Sequence, residues 1–166
     1  MKKKIIITAT GILIIAIITI IILMIKNNYN TDNSKVIYSK SYYSNGFVPS
    51  CTVTEIYDNG VIIKEYKHDI KDKNIVMKKL SKKDLNSIKQ AIEKVEKCEL
   101  NKVNLEEYLS NQGLFAIDDV DIYINLNKKI IIQKQRNADA YTYDNKEVEE
   151  LKELTSSIIK KYLEEE

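Results

Sequence analysis

The spacing of apolar positions takes three forms along this chain, and each form marks a kind of element. From Ile5 to Ile25 the residues are uncharged without a break, with twelve Ile in 21 positions, Lys2, Lys3 and Lys4 on one flank and Lys26 on the other. At about 1.5 Å per helical residue the run spans about 31 Å, close to a hydrocarbon core of roughly 30 Å. A charged residue at its centre would cost roughly 3 kcal/mol, and none occurs. The run predicts an N-terminal transmembrane helix. Asn27 to Lys35 then shows no apolar periodicity, so residues 27–34 read as a polar tether.

The second form is alternation. Val36 to Tyr43 is rich in Tyr and β-branched residues and stops at Asn45-Gly46, as a strand does. Cys51 to Tyr57 and Val61 to His68 flank Asn59-Gly60, a type I′ hairpin signal. With those two residues central, Tyr57 is expected to face Ile62, Glu55 to face Lys64, Val53 to face Tyr66 and Cys51 to face His68. Cys51, Val53, Tyr57, Ile62 and Tyr66 would then form the core face, with Ile56 and Ile63 on the other. Ile75 to Lys79 adds a short strand. Val120, Ile122, Ile124 and Leu126 alternate with Asp119, Asp121, Tyr123 and Asn125, and Asn127 to Lys129 turn the chain into a strand from Ile130 to Gln135.

The third form is the spacing of three and four. Ser81 with Asp84 reads as a helix cap, stapled by Leu80 and Leu85, and Leu85, Ile88, Ile92, Val95 and Cys98 make one stripe. Asn104 with Glu107 starts a short helix ending near Gly113. Asp144 with Glu147 starts the last, from about Asn145 to Leu163, burying Val148, Leu151, Ile158 and Tyr162. The order predicts an α+β fold, an N-terminal transmembrane helix followed by a small antiparallel sheet covered on one face by two helices.

Charge supplies orientation. Three lysines precede the apolar run and one follows it, so residues 1–26 read as cytoplasmic lysines and a signal anchor, with the rest outside the cell membrane. The run is longer than a cleavable signal's apolar region, and Leu23 to Asn27 offer no small-residue cleavage site. Without the four flanking lysines, 22 Lys and Arg stand against 24 Asp and Glu, so residues 27–166 carry a net charge of −2. With a single Arg (Arg136) and no basic stripe, nucleic acid is not an expected partner. Residues 35–166 are the right length for one extracytoplasmic domain.

Chemistry-bearing residues are few. Cys51 and Cys98 both fall on predicted core-facing positions in a compartment that permits oxidation, which makes them a candidate disulfide; two buried thiols are the plainer reading. His68, the one histidine, is expected opposite Cys51, but one His and two Cys match no ligand spacing. Asp118, Asp119 and Asp121 lack the glycine and spaced acids of a calcium loop. No catalytic residue, cofactor or metal is expected. Tyr38, Tyr42, Tyr43, Tyr141 and Tyr143 are a candidate interaction surface, since Tyr is enriched where proteins meet, and they are equally good strand residues.

The cysteine-containing turn before a hairpin ending in Asp58-Asn59-Gly60, the Leu80 to Leu85 helix start and the closing Glu/Lys-rich helix resemble emfourin-type protease inhibitors and their uncharacterised exported relatives, over about residues 35–163. The Tyr-rich first strand and the insertion at 99–117 depart from that layout. The resemblance implies a binding role without a catalytic centre and carries over no residue. The expectation is a membrane-anchored, non-catalytic module that binds a protein or an envelope component. A surface hydrolase using Cys51 and His68, and a sensory or regulatory membrane subunit, are the alternatives from other classes.

Overall fold

Strands form wherever β-branched and aromatic residues alternate, and in two shorter places besides. The computed structural model describes residues 17–20, 29–44, 50–67, 74–111, 119–127, 129–134 and 140–164. In order these hold β1 (Val36–Ser44), β2 (Ser50–Tyr57), β3 (Val61–Lys67), β4 (Asn74–Lys79) and α1 (Lys82–Lys97). After them come β5 (Lys102–Asn104), α2 (Leu105–Asn111), β6 (Asp119–Asn125), β7 (Lys129–Lys134), β8 (Tyr141–Tyr143) and α3 (Lys146–Leu163). The described strands make one antiparallel sheet, ordered β4-β3-β2-β1-β6-β7-β8-β5, so the fold is α+β. It is wider than expected because β5 and β8 have three residues each, too few for an alternation to register. The transmembrane helix expected over residues 5–25 lies mostly outside the described residues. Within it residues 17–20 are helical, with Ile17, Ile18 and Ile20 about half exposed. No described helix is long and apolar enough to cross a membrane.

The β2–β3 register is one residue away from the expected one. The Gly60 N–H donates to the Tyr57 carbonyl at 2.9 Å and Gly60 has φ +86°, so the loop is the three residues Asp58, Asn59 and Gly60. Side chains favour this longer turn: Asn59 Oδ1 accepts from the Val61 N–H at 3.0 Å, and Asp58 Oδ1 from the Lys35 N–H at 3.1 Å. Cys51 therefore faces Lys67, Thr52 faces Tyr66, Thr54 faces Lys64 and Ile56 faces Ile62. A slip of one exchanges the faces of a strand. Thr54 and Ile56 point toward the helices, and Cys51, Val53 and Tyr57 occupy the opposite side. His68 lies outside the described residues, and its expected place opposite Cys51 is taken by Lys67.

The core lies between this sheet and the pair α1 and α3. Tyr38, Ile56, Ile62 and Ile124 sit in one cross-strand row beneath Ile88, Ile92 and Val95 of α1 and Leu151 and Ile158 of α3. Register shifts in β1 and β7 add Ile37 and Ile132 as extra residues, and each bulge turns an additional isoleucine into this core. Both helices cross the strands. Along α1, Lys89 Nζ reaches the Asp58 carbonyl at 2.8 Å, and Glu96 binds the Asn127 N–H at 3.0 Å. Along α3, Lys152 lies beside Gln133 and Thr142, and Lys64 meets Glu164 just beyond the helix.

Caps are made in two of the three expected places. Ser81 Oγ accepts from the Asp84 N–H at 3.1 Å, and Asn104 Oδ1 from Glu106 and Glu107 at 2.9 and 3.1 Å. At α3 the cap residue is Asn145 rather than Asp144. Its side chain holds Asn101 and Glu99 instead, tying the lead into β5 to the start of α3.

Asp84 also joins α1 to the far end of α3, accepting from the Tyr162 hydroxyl at 2.7 Å and Lys161 Nζ at 2.9 Å. Hydrogen bonds from Tyr162, Lys161 and Ser81 hold its carboxyl down at about 2. Because the folded value lies below the ordinary one, the stabilisation is complete above the ordinary carboxylate range and fades as pH falls through about 2. With solvent screening, Asp84→Asn should cost on the order of 1 kcal/mol near neutral pH and only a small part of that at about pH 2. Urea unfolding at both pH values measures this, and an equal loss at both would assign the effect to packing.

Candidate functional site

The helix layer is shorter than the sheet beneath it. Two helices side by side cover about 20 Å, whereas the nine residues of β1 extend about 30 Å. Beyond α3, therefore, the helix side of β1, β2 and β3 has no helix above it among the described elements. Two cross-strand rows lie on that strip. Lys40, Thr54 and Lys64 are mutually in register, and so are Tyr42, Thr52 and Tyr66. One step back, in the row of Tyr38, Ile56 and Ile62, the same face is dry, with exposures of 1% or less. The last turns of α3 form the wall, through Ser156, Ile159, Lys160 and then Glu164, enclosing a cleft of about 500 Å³.

Three ammonium groups and one carboxylate set its potential. Lys64 Nζ is 3.3 Å from Glu164 Oε1 and 5.3 Å from the Tyr66 ring centroid. Burial pulls the Lys64 pKa down, but Tyr66 and Glu164 together outweigh it and leave the value raised. At Lys40 the balance is reversed: burial outweighs the attraction of Glu164 and its pKa is lowered. Among the described residues Lys40 is in no ion pair. The cleft thus favours an anion, and its hydroxyls and phenols offer both donors and acceptors around it.

The five expected tyrosines do not gather into one surface. Tyr38 is 1% exposed, in the core, where the helices cover its row with Ile56 and Ile62. Tyr42 lines the cleft, while Tyr43 pairs with Cys51 on the opposite face. Tyr141 and Tyr143 pack edge to face, with ring centroids 5.8 Å apart, on β8, three strands from β1. Lys102 Nζ lies 4.0 Å from the Tyr141 centroid.

Cys51 and Cys98 are not bridged. Cys51 is on the side of β2 turned away from the helices, whereas Cys98 ends α1, its Sγ donating to the Val95 carbonyl at 3.3 Å. The sheet stands between them. Asp118 lies outside the described residues, and among these no group of three His, Cys, Asp or Glu is placed to hold a metal.

Lys40, Thr52, Thr54, Lys64, Tyr66, Lys160 and Glu164 were not singled out by pattern. The available signal was Lys40, a lysine midway between Tyr38 and Tyr42 in an alternating strand and hence on their face. No protein family, curated protein or solved structure matches this chain.

Proposed function

We propose that this is a single-pass membrane protein carrying one non-catalytic α+β domain outside the cell, where the cleft beside α3 binds an anionic component of the envelope. The observation that carries this reading is the polar floor. Lysines and threonines line the helix-side strip that α3 leaves uncovered, and a half-buried Lys40 is stable there with water or an anion as partner. The uncharged run from Ile5 to Ile25 and its lysine asymmetry support the anchor and its orientation.

The test has two arms. Protease added to intact, wall-stripped cells should remove a C-terminal tag. The detergent-solubilised full chain should be retained on an isolated envelope fraction, and Lys40→Ala/Lys64→Ala should weaken retention at least roughly tenfold with an unchanged circular dichroism spectrum. Protection of the tag would reverse the orientation, and retention indifferent to the lysines would remove the cleft from the binding surface.

A further inference from the structure

We infer that the cleft takes a carboxylate carried on a sugar ring, and that Glu164 fills the carboxylate position until such a ligand displaces it. This rests on the reading of the domain as an envelope-binding module and adds the chemistry of what it binds.

Glu164 is the guide to the anion. Its carboxylate lies 3.3 Å from Lys64 Nζ, where the two side chains are 49% and 14% exposed respectively. A largely sheltered ammonium is thus met by a carboxylate that remains half in solvent, and such a pair is weak and exchangeable. An incoming carboxylate can take the same seat and return Glu164 to water. Meanwhile Lys40, across Thr54 in the same row, supplies a second cation. The Cα atoms of Lys40 and Lys64 are two strands apart, roughly 10 Å, which is the span of one sugar ring with its substituents.

The neutral surfaces point to the ring. Thr52 and Ser156 bring hydroxyls that donate and accept to the lining of the cleft, matching the mixed character of sugar hydroxyls. Tyr42 and Tyr66 stand at the two ends of the next row, offering apolar ring surface with a polar tip. A bare inorganic anion would leave those surfaces unused. A neutral sugar would leave the Lys40 charge unmatched.

The experiment titrates the full chain, in micelles of an uncharged detergent, with glucuronate, glucose and glucose 6-phosphate, read by calorimetry. Glucuronate is expected to bind at least roughly tenfold more tightly than glucose and more tightly than the phosphate. Lys40→Gln and Lys64→Gln should each weaken it about tenfold, and Glu164→Gln should tighten it about threefold, all at an unchanged melting temperature. Equal affinity for glucose and glucuronate would overturn the anion assignment, and tighter binding of the phosphate would overturn the carboxylate. A Glu164→Gln protein that binds like the wild type would overturn the placeholder. If glucuronate fails to bind while envelope retention still depends on Lys40 and Lys64, the sugar carboxylate falls and the envelope reading stands. If glucuronate binds but retention is indifferent to the lysines, the envelope reading falls alone.

Discussion

Tyr38→Ala should lower stability by about 3–5 kcal/mol, the range for emptying a fully buried aromatic site, whereas Tyr38→Phe should cost nothing or stabilise slightly. The two substitutions separate the ring from its hydroxyl. The ring is 1% exposed and packed in the core, so truncation opens a cavity between the sheet and the helices. Among the described residues the hydroxyl, which is buried, has no hydrogen-bond partner of good geometry. Thr155 lies close enough to draw the phenol pKa down a little, but its own hydroxyl donates to the Leu151 carbonyl at 2.8 Å, and burial dominates, pushing the phenol up to about 12. For a protein marginally stable by 5–15 kcal/mol in total, the alanine variant should melt roughly 10 °C lower. Thermal unfolding of the three proteins is the check. A phenylalanine variant that loses about 2 kcal/mol or more would mean that the hydroxyl is well bonded to Thr155.

Gly60→Val should cost about 1–3 kcal/mol, and Gly60→Ala somewhat less. At φ +86° an L side chain is strained whatever the surrounding space. A β-carbon would also lie 3.2 Å from Leu85 Cδ2, a contact that the leucine can relieve by a small rotation. Backbone strain is therefore the larger cause, common to both variants, and the β-branch of valine adds to it. Urea unfolding measures both, and midpoints equal to the wild type would show that the turn does not need a left-handed residue. The site is coupled to this turn, because the three-residue loop is what brings Thr52 and Thr54 of β2 onto the helix side, beside Tyr66 and Lys64 of β3.

Strongly periodic segments were legible from the sequence. The stripe Leu85, Ile88, Ile92, Val95 defined α1, Ser81 capped it, and the alternation through Ile122 and Ile124 defined β6. Failures arose where a single residue decides. Asn59-Gly60 is compatible with a two-residue or a three-residue loop, and beside the local Asn59 bond to Val61 the choice rests on an Asp58 hydrogen bond to Lys35, 23 positions away, that no local pattern encodes. That ambiguity reversed β2 and hid the cleft. Tyr38 and Tyr42 look alike in sequence, and only the position of α3 across β1 makes one a core residue and the other a cleft residue. Asn145 similarly spends its side chain on residues more than forty positions away, so its role is written in the fold and not in its neighbours.

An open sheet has two edges, and those of this one differ. At β5 three residues present too short a ladder to recruit another chain. At β4 six residues run along the rim, with Ile75 and Met77 exposed at 52% and 37% on its outer positions. Lys78 and Lys79 close that strand, and pairing a second β4 against it antiparallel would bring these charges toward exposed apolar side chains and strip their water. The aggregation hazard of the sheet is thus concentrated on one rim, and replacing these lysines with threonine is the change that would expose it.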